Sequence, residues 1–224
     1  MENCSIQKDF LSKLAEDADA HNIKKIENAF VHKVNKDYVL ISEIKEVPEN
    51  YLNNDGEKDE NCKFLYLVAF PKHDCVFCFD HELDHLPFMM TIELIRQAGI
   101  AIGHVIHKIP LKGFTNIMDC MNLNVLKFIE LDVPLLIIIN DIMLKNKPSR
   151  QERMMHFYLY QKNSLCASVD INASIMEKDI YRRLRLSSRA ELIQNTSLDK
   201  VPTTICKCLT KEFQLNNNGF SRWM

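Results

Sequence analysis

The sequence predicts an α+β fold in which an antiparallel sheet wraps around one long, buried helix. Residues 89–107 are apolar on almost every helical face, which is typical of a helix that other structure surrounds. Two β-rich runs precede this segment and four follow it. Lys162-Asn163, between two alternating runs, favours a tight hairpin turn.

An order of two strands, one buried helix and four strands predicts a single hotdog fold, since no internal repeat is present. We expect the strands at residues 38–44, 64–70, 116–126, 134–145, 153–161 and 164–173. Residues 1–28 predict a peripheral N-terminal helix, residues 29–190 the hotdog domain with a basic helix at 176–185, and residues 191–224 a C-terminal tail. Such a fold leaves a sheet edge uncovered, so we expect a homodimer.

Composition excludes several classes of protein. The net charge of −2 disfavours a nucleic-acid binder, which usually needs a strong basic excess. The apolar run at residues 133–139 is far shorter than the ~20 residues that span a membrane. Residues 1–10 lack the pattern of a signal peptide. We therefore expect a cytoplasmic protein that binds neither nucleic acid nor membrane.

The eight cysteines are expected to be reduced thiols in such a compartment. Cys75-x-x-Cys78 and Cys206-x-Cys208 have spacings that could suggest a metal site. Neither pair is flanked by the turn residues of a zinc knuckle, so small apolar packing residues are the favoured interpretation. The sequence predicts no metal and no cofactor.

Three polar residues, Glu93, Arg96 and Gln97, share one stripe of the predicted central helix with Ile100. Glu93 and Arg96 can meet there as an ion pair. A purely structural pair would fix the helix against the sheet. In the functional interpretation, Glu93 is a general base or binds substrate and Arg96 holds an anion.

His85 precedes this helix, with Pro87 just ahead of the first turn. A histidine at a helix N-terminus lies where the helix dipole favours bound anions. Asp80, His81 and Asp84 share the loop and could instead be solvated or capping residues. His32, His104 and His107 are expected to be packing or surface residues. Arg182, Arg183 and Arg185 form a basic cluster that is either solvated or docks an acidic partner or a phosphate.

These residues resemble a known motif, Asp80-His81-x-x-Asp84-His85-x-Pro87-x-Met89-x-x-x-Glu93-x-x-Arg96-Gln97-Ala98, of the A-factor biosynthesis (AfsA-type) hotdog proteins. The order of the flanking segments is similar too, over roughly residues 30–190. These segments are Val31-His32-Lys33 before the first strand, His104 and Ile109-Pro110-Leu111 after the helix, and Tyr181-Arg182-Arg183-Leu184-Arg185 after the last strand.

The resemblance implies an acyltransferase that moves a β-ketoacyl group from an acyl carrier protein, or from coenzyme A, to dihydroxyacetone phosphate. Spontaneous ring closure would then give a phosphorylated butenolide on the way to a γ-butyrolactone. Glu93 would be the general base, Arg96 would bind the phosphate or polarise the thioester, and His85 completes the catalytic set. Gln97, Asp84, Pro87 and Phe88 would contact substrate, while Arg182 and Arg183 would meet the acidic carrier protein.

Two features differ from the family. Signal-making members carry two hotdog units in one chain, so a homodimer would have to supply the second half here. Phe88 stands where glycine is usual, which narrows backbone access to a ligand. A thioesterase with Glu93 activating water, and a non-catalytic module that binds an acyl ligand, remain open. A dehydratase is disfavoured because Phe79 occupies the position of its usual histidine.

Overall fold

The computed structural model describes residues 6–19, 23–52, 60–71 and 82–194. It contains three α-helices and six strands, and three short 3-10 turns at Asn28–Val31, Lys36–Tyr38 and Glu49–Tyr51. The helices are α1 (Lys8–Asp19), α2 (Phe88–Val105) and α3 (Lys178–Gln194). The strands are β1 (Lys45–Glu46), β2 (Cys62–Ala69), β3 (Phe114–Val125), β4 (Leu135–Lys147), β5 (Arg150–Gln161) and β6 (Ser164–Glu177).

The strands form one antiparallel sheet in the order β1-β2-β4-β5-β6-β3. The sheet and the buried helix α2 confirm the predicted hotdog fold. The chain divides into two compact units, residues 1–178 with the sheet and residues 179–224, which include all of α3 except Lys178. Within the described residues, no helix is both long and apolar enough to cross a membrane.

Alternation along β4 shows how the sheet is buried on both faces. Ile137 and Ile139 pack in the cluster that contains α2, whereas Ile138 packs with Phe10 of α1 on the opposite face. Successive strand residues point to opposite faces, so a continuous apolar run is needed where both faces are covered. At the α2 face, Gly103 permits close packing, because an added Cβ would lie 3.0 Å from Cδ1 of Ile175.

The hairpin predicted at Lys162-Asn163 is present between β5 and β6. Lys162 has φ of 52°, in the left-handed region that non-glycine residues adopt uncommonly. A positive φ at the first turn residue matches the right-handed twist of the two strands, which explains why the strain is accepted. The turn fixes the register of β5 against β6.

Element boundaries differ from the prediction by a few residues, and two differences concern how the sheet is built. The strand expected at residues 38–44 is extended but joins the sheet only through isolated bridges such as Ile41↔Ala69. Its backbone bonds both the β2 segment and the central helix: Phe70 N–H donates to Leu40 C=O at 2.7 Å, whereas Leu40 N–H donates to Gln97 Oε1 at 2.9 Å and Tyr38 C=O accepts from Gln97 Nε2 at 2.8 Å. Strand β6 runs on to Glu177, past the expected start of the basic helix, because Met176 is buried and pairs with strands on both sides.

Some expectations fall outside the described residues. Asp80, His81, Phe79 and the pair Cys75 and Cys78 lie there, as do Cys206 and Cys208 and the C-terminal tail from residue 195. The described cysteines are Cys62, Cys120 and Cys166, of which Cys62 donates from Sγ to Oδ1 of Asn140. In the described ranges no group of three or more His, Cys, Asp or Glu side chains could hold a metal ion.

Candidate functional site

The predicted ion pair between Glu93 and Arg96 is present on the second turn of α2. Arg96 donates from Nε to Oε2 of Glu93 at 2.7 Å and from Nη2 to Oε1 at 2.8 Å. This two-bond geometry is the most directional form of a guanidinium–carboxylate contact. Both side chains are about two-thirds buried, so the pair lies at the edge of the core with one side open.

Two further donors reach the same carboxylate. Lys33 Nζ lies 2.8 Å from Oε1 of Glu93, and Gln97 Nε2 donates to that oxygen at 2.8 Å. Burial opposes ionisation of Glu93, but the hydrogen bonds from its three donors outweigh it and lower the pKa from 4.5 to about 2. Glu93 is therefore a fixed anion at neutral pH and a weak base.

Gln97 is fully buried and joins the site to the preceding chain. Its Nε2 donates to Tyr38 C=O as well as to Glu93, and its Oε1 accepts from Leu40 N–H. The amide is thus saturated by protein groups. The contact of Gln97 with substrate stays a prediction. In the structure, this side chain holds residues 38–40 against α2.

Lys33 and His32 come from a turn that sequence reasoning placed outside the site. Val31, at the end of the 3-10 turn, is fully buried and anchors it, while Nδ2 of Asn28 donates to Lys33 C=O at 2.8 Å. His32 has φ of 54°, in the left-handed region, and its N–H caps the turn. This conformation turns both side chains towards α2.

His32 meets His104, which lies two turns after Arg96 on the same stripe of α2. The two Nε2 atoms are 2.9 Å apart, and the ring centroids are 5.0 Å apart. Nδ1 of His104 lies 2.8 Å from Ile109 C=O, which can only accept, so this nitrogen carries a proton. His32 and His104, which were expected to be packing or surface residues, therefore form a pair beside the charged cluster of Lys33, Glu93 and Arg96.

His85 lies in the loop that enters α2, as predicted. Its Nδ1 is 2.7 Å from Oδ1 of Asp84, and this hydrogen bond lowers the pKa of Asp84. Leu86 N–H donates to Ile129 C=O at 2.7 Å, which fixes the loop beside the chain that leads into β4. Among the described residues, the side chain of His85 bonds Asp84 and makes no hydrogen bond with Glu93 or Arg96.

Pro87 is the N-cap of α2, and Phe88 is its first residue. Phe88 is 55% exposed, and Phe128, whose ring packs on His85 at 4.9 Å between centroids, is 70% exposed. These apolar side chains flank the first helical turn, in which Met90 and Thr91 N–H donate to Pro87 C=O at 3.0 and 3.2 Å, so the N–H groups of Phe88 and Met89 are the ones without an acceptor in the helix. The helix entrance therefore combines free donors with an apolar rim.

A cavity of about 410 Å³ lies elsewhere, at the end of β2 and the start of β4. It contains none of the predicted site residues. Its described lining is mostly apolar and includes Val68, Phe70, Leu131 and Pro134, with Asp132 as the charged member. None of the described residues that line this cavity belongs to the charged cluster.

Fold and site together define a hotdog protein with a charged cluster on its central helix. The A-factor biosynthesis hotdog domain family matches residues 14–177, which is most of the chain. The protein belongs to this family. No curated protein matches the sequence.

Three solved structures are similar to part of the chain. A putative thioesterase from Lactococcus lactis has a TM-score of 0.42 at 12% identity, over 65% of this chain and 100% of that one. A hot-dog-like protein from Thermanaerovibrio acidaminovorans has a TM-score of 0.41 at 12% identity, over 56% and 89% of the chains. A mutant thioesterase from Pseudomonas aeruginosa has a TM-score of 0.37 at 7% identity, over 55% and 79%.

Proposed function

We propose that this protein is an acyltransferase that moves a β-ketoacyl group from an acyl thioester to a small phosphorylated acceptor such as dihydroxyacetone phosphate. The observation that carries the proposal is the Lys33–Glu93–Arg96 cluster, in which one carboxylate holds two cations. Arg96 uses Nε and Nη2 on Glu93, which leaves Nη1 for a ligand. A phosphate on the acceptor suits two fixed cations, whereas the water that a thioesterase uses as its acceptor carries no charge for them to bind.

Glu93 acts in this proposal as a positioning residue. Its low pKa makes it a poor proton acceptor, but a carboxylate that bonds Lys33 and Arg96 together fixes the spacing of their charges. Fixed charges bind an anion without losing side-chain entropy at that moment. The general-base role predicted for Glu93 stays a prediction.

The entrance of α2 is suited to the thioester carbonyl. Its first N–H groups, beside Pro87 and Phe88, can donate to the oxygen that becomes negative when the acceptor hydroxyl attacks. The C–O bond of the ester forms, the C–S bond breaks, and the thiol leaves with the acceptor's proton. His85, which Asp84 holds through Nδ1 in the loop that enters α2, has Nε2 left for substrate.

Helix α3 offers a surface for an acidic carrier protein. Arg183, Arg185 and Arg189 are exposed, and Arg182 pairs with Asp179 at 3.1 Å between exposed side chains. Such an exposed pair is worth little and is easily exchanged for another anion. We therefore keep Arg182 and Arg183 as candidate contacts to the carrier protein, with coenzyme A as the alternative donor.

A homodimer is part of the proposal. Strand β3 is the last in the sheet, pairs with β6 on one side, and has no partner strand on the other among the described residues. An open edge of this length is a template on which a strand of another chain can pair. Sedimentation equilibrium should therefore give twice the chain mass of 26.1 kDa, and a stable 26.1 kDa species at assay concentration would contradict the dimer.

The decisive experiment incubates the purified protein with a β-ketoacyl thioester, with and without dihydroxyacetone phosphate, and follows the products by mass spectrometry. We expect a phosphorylated ester or butenolide that forms only with the acceptor. Dihydroxyacetone without phosphate is the matched control and should react at least about 10²-fold more slowly, because it lacks the group that Lys33 and Arg96 bind.

Two other outcomes would replace the proposal. Free β-keto acid released at the same rate with or without acceptor would identify a thioesterase. Intact thioester that copurifies or binds without turnover would identify a non-catalytic module, for which the exposed Phe88 at the helix entrance is the favouring observation.

A further inference from the structure

We propose that His32 is the proton-accepting group of this site and that His104 is its positioning residue. The inference rests on the proposed acyl transfer and assigns the proton transfer for which Glu93, with its low pKa, is poorly suited. The geometry that carries it is a chain of two bonds, from His32 Nε2 to His104 Nε2 and from His104 Nδ1 to Ile109 C=O.

These two hydrogen bonds fix which nitrogen of each neutral imidazole carries the proton. Ile109 C=O can only accept, so His104 in its neutral form carries its proton on Nδ1 and offers a lone pair on Nε2. The 2.9 Å contact then requires His32 to donate from Nε2. In neutral His32 the remaining nitrogen, Nδ1, is consequently an unprotonated base.

His104 plays towards His32 the part that a carboxylate plays towards histidine in other relays. It is buried, with 6% exposure, and it orients an exposed partner. The bond between the rings persists when His32 becomes an imidazolium, because Nε2 of His32 donates in both states. His32 can thus gain and lose a proton on Nδ1 without any rearrangement of the pair.

His32 is placed beside the groups that would bind the acceptor. It is the neighbour of Lys33, and it packs on the stripe of α2 that carries Arg96 and His104. The positive φ of His32 indicates that the fold accepts local strain to keep the side chain there. An acceptor whose phosphate lies on Lys33 and Arg96 would bring its hydroxyl to this side of the cluster.

The surroundings also keep His32 neutral and ready to accept a proton. Partial burial against α2 lowers its pKa, and so do the titratable and charged groups that face it: His104 and Arg96 from α2, and Lys178 after β6. Lys33 is the charged neighbour on its own turn. A site rich in cations discharges an imidazolium readily, which suits a group that must release its proton again.

The step balances without a further reactant. The acceptor hydroxyl attacks the thioester carbon, its proton passes to Nδ1 of His32, and a C–O bond forms. The tetrahedral intermediate collapses, the C–S bond breaks, and the imidazolium proton passes to the leaving sulfur. The products are the ester and the free thiol.

The test compares wild-type protein with His32→Gln, in which the amide nitrogen can still donate to His104 but no base remains. We expect kcat to fall about 10²–10³-fold with KM for both substrates changed less than about threefold. The acid limb of the kcat/KM profile against pH should disappear. His156→Gln, which alters a histidine paired with Asp170 on the other face of β5, should retain wild-type rates. His104→Asn should lower kcat and move the acid limb, because His32 loses its acceptor.

Nitrogen NMR of the histidine rings in the full chain supplies a readout that needs no turnover. We expect neutral His104 protonated on Nδ1, neutral His32 protonated on Nε2, and a His32 pKa that changes in His104→Asn. If wild-type protein forms the ester and His32→Gln forms it equally fast, the relay is wrong and the proposed function stands. If wild-type protein forms no ester, the proposed function fails, and a neutral His32 protonated on Nδ1 would overturn the relay separately.

Discussion

Replacing Asp141 with asparagine should lower the free energy of unfolding by about 3–5 kcal/mol, the largest stability effect we expect for a change of one atom type. Asp141 is buried on the α2 face of β4, where its Oδ1 accepts from Nε of Arg153 at 2.9 Å. Its Oδ2 lies 2.6 Å from Nε2 of His107, just past the end of α2. Because Arg153 is only 1% exposed, loss of the carboxylate leaves a buried cation without its counter-charge.

The matched control is Asp170→Asn, which removes the same charge from an exposed pair with His156 at 2.7 Å. That change should cost at most about 1 kcal/mol. Both variants are measured by urea unfolding. Equal costs would show that burial of the Asp141–Arg153 pair does not matter. The double variant Asp141→Leu with Arg153→Met should recover much of the loss, since an apolar replacement leaves no charge to solvate.

The free energy of unfolding measured against pH in the acid range supplies an independent check on Asp141. Burial opposes its ionisation, but the hydrogen bond from His107 and the charge of Arg153 outweigh it and lower the pKa of Asp141. A lowered pKa means that the stabilisation is fully present above the ordinary value of 3.8 and is lost as the pH falls through the folded value. Asp141→Asn should therefore flatten stability in that range.

Sequence reasoning located α2 and its charged stripe because both depend on local periodicity. Glu93 and Arg96 are one turn apart, so the helix alone brings them together. Asp141 could also have been found. In the apolar β4 run, Asp141 lies at two-residue spacing from Ile137 and Ile139 and so on the same buried face. A carboxylate buried there needs a cationic partner.

The other members of the site could not be placed from periodicity, although Val31-His32-Lys33 and His104 stand in the segments that resemble the family. Lys33 and His32 come from a turn whose orientation is set by burial of Val31 and by a positive φ, and neither is encoded by spacing. The error at residues 38–44 has the same origin. β-propensity correctly indicated a buried segment with strand-like pairing, but Gln97 of α2 bonds Tyr38 C=O and Leu40 N–H, so only Leu40 C=O and Ser42 N–H bond the neighbouring β2 segment.

Replacing Glu93 with alanine should lower kcat/KM for the phosphorylated acceptor at least about 10²-fold while the protein remains folded, because Lys33 and Arg96 lose the carboxylate that spaces them. The loss should be much smaller with dihydroxyacetone, which has no phosphate to place. Glu93→Gln should be intermediate, since one oxygen still accepts from the cations. The comparison variant is Glu152→Ala, which breaks ion pairs with Lys145 and Arg150 and should leave kcat/KM unchanged.

The loss of kcat/KM in Glu93→Ala, compared between the phosphorylated acceptor and dihydroxyacetone, decides what Glu93 does. A positioning residue acts through the cations, so its removal costs most where a phosphate is bound. A general base acts on the hydroxyl, which both acceptors share, so its removal would slow both by the same factor. An equal loss would thus contradict the positioning role and return Glu93 to the base, despite a pKa of about 2. Wild-type rates in Glu93→Ala with both acceptors would remove the cluster from the reaction altogether.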